Sequence, residues 1–255
     1  MKNNFTHQEL YGVGMIAIVC LVFLVAPIHA QTENTSFNFG INVGYTELDM
    51  EEVNDDLIDN RNIFRSLGYV ASSPEEIEGG LILGAEAFGV IEKFVTGVSG
   101  NYIEQKGRFY YSDYSGSFRE EYLTRTIELT VFFGTRLPIN ENVYFSLRGY
   151  VGYGMAEAEH VGEIKDYGSQ PWTVKHDVEG GYITTRAQAG IVVKLTDVSV
   201  HFRAGYRMAK AGIMRGELVE NGVTYDDRGV NNPDGGEIGF DYSGMFLQAG
   251  VALEL

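Results

Sequence analysis

The stretch Tyr242-Ser-Gly-Met-Phe-Leu-Gln-Ala-Gly-Val-Ala-Leu-Glu-Leu255 decides how the rest of the chain is read. Met245, Leu247, Ala249, Val251, Leu253 and Leu255 fall on one side of an extended chain. Tyr242, Gly244, Phe246, Gln248, Gly250, Ala252 and Glu254 fall on the other. A helix would mix the two sets, whereas a strand separates them, because its side chains alternate with a period of two.

The same alternation recurs seven times upstream. Phe37, Phe39, Ile41, Val43 and Tyr45 oppose Asn38, Gly40, Asn42 and Gly44. Leu81, Leu83, Ala85 and Ala87 oppose Gly84, Glu86 and Phe88; Phe94, Thr96, Val98 and Tyr102 oppose Gly97, Ser99 and Asn101. A fourth run sets Leu123, Ile127, Leu129, Val131, Phe133 and Leu137 against Thr124, Thr126, Glu128, Thr130, Gly134 and Arg136. Three more centre on Val143–Met155, Ile183–Leu195 and Val198–Met208, with Arg148, Arg186, Arg203 and Arg207 on their polar faces. Each run is about ten residues or more, enough for a tilted strand to cross a hydrocarbon core. Tight turns are expected near Glu92-Lys93, at Pro138–Asn142 and at Thr196-Asp197, and long loops over roughly 47–79, 106–119, 157–181 and 210–237. Short and long connections alternate, which collects the long loops at one end and both termini at the other.

The polar face carries Glu86, Glu128, Arg148, Arg186, Arg203 and Arg207 among many glycines, while the other face is nearly uncharged. A soluble barrel would bury the apolar face; this chain reads as the inverse, with lipid outside and charge in the lumen. Tyr45, Tyr102, Tyr153 and Tyr206 near the long-loop end, and Phe37, Phe94 and Phe145 near the other, suit two interfacial girdles. Arg125 breaks the apolar face close to the loop end, where it could snorkel toward headgroup phosphates. The expected fold is therefore all-β, an eight-stranded antiparallel up-and-down transmembrane β-barrel.

Residues 1–30 read as a secretory signal peptide. Lys2 precedes an apolar stretch from Val13 to Pro27, and Ile28-His29-Ala30 supplies a cleavage site, so residues 31–255 form the barrel domain of the mature chain starting at Gln31. The single cysteine, Cys20, lies in that leader behind the bulky Val19, which disfavours lipid anchoring and leaves the mature chain without disulfides or thiolate metal sites. A net charge of −16 argues against a nucleic-acid partner.

On these features the mature chain resembles the small eight-stranded outer-membrane β-barrels, the OmpA-type transmembrane domains and the OmpX/Ail/opacity-type proteins. The resemblance rests on architecture, and it departs at Leu255, where those families usually end in an aromatic residue. It implies residence in the outer membrane of a Gram-negative bacterium, and as partners outer-membrane lipid and lipopolysaccharide, the barrel-assembly machinery and an extracellular ligand at the loops. The protein is expected to be a monomer without a further peptidoglycan-binding domain.

Glu86, Glu128, Arg148, Arg186 and Arg203 are expected to form one ionic network filling the lumen, with a structural role rather than a gating one. The first long loop, with ten acidic residues between Glu47 and Glu78 against Arg61 and Arg65, reads as solvated and self-repelling, without calcium-loop spacing. The segment from Asp226 to Glu237 reads as turn chemistry. Tyr110, Tyr111, Tyr114, Tyr167 and Trp172 are expected as exposed loop aromatics that either contact a partner or pack the loops. His160 and His176 fall in the third loop near Glu157, Glu159 and Glu163 and loosely resemble metal ligands, but loop histidines are more often unliganded and they are read so; His201 points inward. With no nucleophile elbow, no phosphate loop and no His-x-Ser pattern at His201, no catalytic, cofactor or metal residues are assigned and the expectation is a non-enzymatic surface scaffold serving interaction or envelope integrity. The alternatives are a lipid A-modifying enzyme, a small pore and a soluble periplasmic barrel.

Overall fold

The computed structural model describes residues 35–69, 71–166, 170–231 and 235–255. The expected signal peptide, Tyr167 and Asp234 lie outside them. Eight long antiparallel strands are joined edge to edge: β1 (Thr35–Glu47), β2 (Gly79–Ile91), β3 (Phe94–Ser112), β4 (Gly116–Pro138), β5 (Val143–Asp166), β6 (Trp172–Leu195) and β7 (Val198–Ile213), then β11 (Gly244–Glu254). β11 pairs with β7 on one side and with β1 on the other, Asn38 opposite Glu254 through Thr46 opposite Phe246, so the sheet closes on itself without a free edge. The barrel expected from the alternation is present. Leu255 continues the ladder, its N–H donating to the Phe37 carbonyl at 2.8 Å.

The apolar face lies outward. Ile41, Ile127, Phe133, Ile183, Phe202 and Leu247 are between 57 and 72 % exposed, a surface no soluble protein would offer to water. Inside, bulky side chains share the levels of the lumen with glycines and small polar residues. One level runs Asn42, Gly84, Asn101, Glu128, Gly154, Tyr182 from strand to strand. Gly154 is required there, because a Cβ would run into the Tyr182 ring. An eight-stranded barrel leaves room for such interdigitation and little else.

Two expectations about the loops are corrected. Residues 106–119 and 157–181 are not loops: β3 and β4 stay paired out to Ser112 opposite Ser117, and β5 and β6 out to Ile164 opposite Trp172. The alternation continues there with its chemistry exchanged. Phe109, Phe118, Tyr122, Ala156, Ala158 and Val178 point inward and are buried, while Lys106, Arg119, Glu121, Glu159, Lys175 and Asp177 face out and form ion pairs with one another. Charged outward residues on paired strands mark a section standing in water above the membrane. Two further strands, β8 (Arg215–Glu220) and β9 (Val223–Arg228), extend it as a hairpin on β6. Its turn is Asn221-Gly222, both at positive φ, as a two-residue hairpin loop of this twist demands. The short β10 (Gly239–Asp241) returns along β7.

The first loop, expected to be solvated, folds instead into helix α1 (Glu51–Ser66) and closes the open end of the barrel. Glu51 and Glu52 stand in its first turn and Arg65 in its last, each favourable to the helix dipole. Gly68, at φ +89°, ends it, donating to the Arg65 carbonyl. Val53, Asp56 and Leu57 share the helix's buried face, and Val53 and Leu57 join a core with Met50, Ile77, Phe109, Phe118, Tyr122 and Phe240. Asn54 pins the return segment by exchanging two hydrogen bonds with the backbone of Ile77.

Candidate functional site

Two buried polar groups occupy the interior at different heights. The lower is the luminal ionic group. Glu86, projecting from β2, accepts hydrogen bonds from Arg148 Nη1 at 3.0 Å and from both terminal nitrogens of Arg203 at 2.6 and 2.8 Å. All three side chains are at most 2 % exposed. Arg148 is also sandwiched against the Phe88 and Phe132 rings, 4.9 Å from each centroid.

The other members expected in a single network are elsewhere. Glu128 accepts from Tyr182 at 3.2 Å and pairs with Arg207 at 3.4 Å, not with Arg148, Arg186 or Arg203. Arg186 has no carboxylate at ion-pair distance among the described residues. It lies over the Tyr150 ring at 4.0 Å, with Phe246 at 5.5 Å. So the structure brings together Glu86, Arg148 and Arg203, and separately Glu128 with Arg207. The division follows from barrel height: Glu86 is level with Ser99 on β3, and Glu128 with Asn101, one pleat higher. Residues two apart share a face but not a level. On the exterior, Arg125 donates to Glu104 at 3.1 Å instead of standing alone, and Tyr102 donates to the same carboxylate at 2.6 Å.

The upper group lies under α1. His160 and His176, expected on a loop, face inward from β5 and β6 as directly opposed partners in the ladder. Their Nδ1 atoms are 3.4 Å apart, and His160 Nε2 lies 3.0 Å from Glu120 Oε1 on β4. Tyr122, two residues along β4, stacks on the His160 ring at 4.3 Å and donates to Asp56 Oδ2 of α1 at 2.5 Å. Asn60, one turn further along α1, donates to Glu120 Oε2 at 2.8 Å. Asp56, Glu120, His160 and His176 are between 3 and 7 % exposed. Burial, and then the neighbouring Glu120 charge, push the Asp56 carboxyl up to about 7. Burial pushes Glu120 up to about 7 as well, and His160 down to about 4. The sequence singled out His160 and His176 but paired them with Glu157, Glu159 and Glu163; nothing local marked Asp56, which sits in an acidic run, or Glu120, which sits in a charged one. The alternation Phe118, Glu120, Tyr122, which sets Glu120 on an otherwise apolar face, was the available signal, and the loop assigned to 106–119 hid it.

The aromatics divide likewise. Tyr110 and Tyr114 are exposed on the outer end, Tyr111 is buried, and Trp172 opens β6 with its indole N–H donating to Glu220 of β8 at 3.2 Å.

No protein-family model and no curated protein matches the sequence. Among solved structures the chain is similar to Neisserial surface protein A, with 14% identity over 88% of this chain and 100% of that one, at a TM-score of 0.44. It is also similar to Ail, the attachment invasion locus protein of Yersinia pestis (14% identity, 87% of this chain and 97% of that one, TM-score 0.35). A third is the outer membrane protease OmpT of Escherichia coli (8% identity, 88% of this chain and 98% of that one, TM-score 0.30). The closed ring, the exposed aliphatic belt and the charged lumen make this chain a membrane-spanning barrel of the bacterial outer-membrane type.

Proposed function

We propose that the mature protein is a non-enzymatic outer-membrane scaffold whose barrel is plugged by its own side chains and whose rigid head meets the extracellular medium. The observation that carries this reading is the succession of buried side-chain clusters along the lumen. An aromatic layer of Phe88, Phe132 and Tyr150 lies at the periplasmic end. Above it come the Glu86 and Glu128 groups, and above those the apolar core under α1. A barrel packed in this way has its rigidity invested in display, and the exposed Tyr110 and Tyr114 are the aromatic anchors available to a partner at its outer end. The test is a planar bilayer carrying the refolded protein. Steady conductance steps would replace this reading with that of a pore, whereas a silent bilayer is expected. Incubation with purified lipopolysaccharide, followed by mass analysis of its lipid A, separates the scaffold from an enzyme; unchanged lipid A is expected.

A further inference from the structure

We propose that Asp56, Glu120 and His160 form a binding site for one divalent cation of the zinc class, held between α1 and the barrel wall. Three elements far apart in sequence supply one ligand each: the helix, β4 and β5. A carboxylate oxygen from each acid and a ring nitrogen of His160 all lie within 4.8 Å of one another. The 3.0 Å between His160 Nε2 and Glu120 Oε1 is close to the edge of a tetrahedron with bonds of about 2.0 Å, roughly 3.3 Å. Contraction by rotamer adjustment of Asp56 and Glu120 would complete the set, with a fourth position left for water.

The surroundings are arranged as an outer shell. Each carboxylate has one oxygen engaged by a neutral donor, Asp56 Oδ2 by Tyr122 and Glu120 Oε2 by Asn60, while Glu120 Oε1 turns to His160 Nε2, the contact a cation would replace. His160 directs Nε2 to the carboxylates and Nδ1 to His176, so donation of an Nδ1–H to His176 would fix the tautomer that ligates. With both acids ionised the pocket holds two charges that no side-chain cation among the described residues offsets, and a metal ion would take the place of the proton that otherwise neutralises them. Two carboxylates stand at most 4 % exposed, and among the described residues no lysine or arginine lies within ion-pair distance of either. A divalent cation neutralises both at once, whereas the carboxylates of the lumen have arginines for that purpose. An imidazole with two carboxylates suits zinc better than calcium or magnesium, which prefer oxygen-only sets of higher coordination number. The site would fasten the helix lid to the wall, a role separate from both the scaffold and the pore readings.

The test uses tag-free protein refolded in detergent, stripped with a chelator and then offered zinc in a large excess of magnesium. One zinc per chain by elemental analysis is expected, with slower tryptic cleavage at Arg61 and Arg65 of α1 in the presence of zinc and not of magnesium. Glu120→Gln and His160→Ala should reduce retained zinc to background. Asn60→Ala, which touches only an outer hydrogen bond, should weaken binding about 10–100-fold. Cobalt in place of zinc should give visible absorption in the unsubstituted protein that is lost in the Glu120→Gln form. The unsubstituted protein carries the test alone if a variant does not reach the heat-modifiable barrel form on gels. Its failure to retain zinc overturns the proposal, as does wild-type retention by both folded variants, which would place the ion among exterior carboxylates. A silent bilayer and unchanged lipid A would stand in either case.

Discussion

Along β4 a single ribbon passes through two solvents. Between Thr126 and Phe133 it turns Ile127, Leu129, Val131 and Phe133 outward and Thr126, Glu128 and Thr130 inward. Between Phe118 and Arg125 it turns Arg119, Glu121 and Arg125 outward and Phe118 and Tyr122 inward. The backbone alternates in the same way throughout; only the medium outside changes, from hydrocarbon to water, and the chemistry of both faces follows. In the membrane section apolar burial drives little, because lipid is as apolar as a core, and hydrogen bonds and ion pairs in the lumen specify the packing. In the head the hydrophobic effect acts as in any soluble domain, and α1 supplies the lid its core needs. The difference teaches where each section is vulnerable.

The largest effect is expected in the lumen. Glu86→Ala leaves Arg148 and Arg203 buried at 2 % exposure or less without their shared carboxylate. Removing one partner of a buried ion pair costs about 3–5 kcal/mol. The urea midpoint of the refolded protein in lipid vesicles, followed by far-ultraviolet circular dichroism, should fall accordingly. An unchanged midpoint would mean that water reaches the arginines and that the lumen is not packed as described. Arg186→Ala, which removes a ring-stacked cation and no ion pair, should cost less than Glu86→Ala.

The membrane section was legible in the sequence because lipid imposes one rule along its whole height: Leu255 back to Met245 could be sorted by eye, and so could Phe37 to Tyr45. The head was not. At Lys106, Arg119 and Glu159 the outward residues become charged, and a reader following the apolar face loses the strand at that point. The other face held the signal, in Phe109, Phe118, Tyr122, Ala156 and Ala158 at alternate positions, half-hidden by the small side chains among them. Helix α1 was obscured differently, because its acidic residues outnumber the Val53 and Leu57 stripe and dominate any composition-based reading. The pairing of Glu86 with Arg148 and Arg203, rather than a common network with Glu128, depended on strand stagger, which alternation alone does not fix. The approach of Asp56 to Glu120 and His160 depended on how the lid sits, a purely tertiary fact.

In the head the matching experiment is Leu57→Ala. Leu57 is fully buried on the inner face of α1, and a Cβ on Gly107 of β3 would stand 3.2 Å from its Cδ1. Truncating a core leucine costs about 2–5 kcal/mol. Here the loss should be local, because α1 makes no strand pairing and the ring closes without it. The expected outcome is faster tryptic cleavage at Arg61 and Arg65 with the urea midpoint of the barrel held. A fall of that midpoint instead would show that lid and barrel unfold as one unit. Trp172, the single tryptophan, stands in the head and reports that section separately by fluorescence.

The sharpest comparison places one substitution on both sides of the membrane boundary. Val131 on β4 and Val161 on β5 both point outward, Val131 opposite Val98 and Val151, Val161 opposite Glu121 and Lys175. An arginine at the centre of a lipid-facing strand costs about 2–4 kcal/mol, and near an interface about 0–1. Val131→Arg should therefore lower the midpoint in vesicles by the larger amount, while Val161→Arg, beside a carboxylate and in water, should stay within about 0.5 kcal/mol of the parent. In detergent micelles, which deform around a charge, the penalty at Val131 should shrink and that at Val161 should not move. Equal penalties at the two positions would mean that the boundary does not fall between them, and the exchange of faces near Arg125 would then need a cause other than the edge of the bilayer.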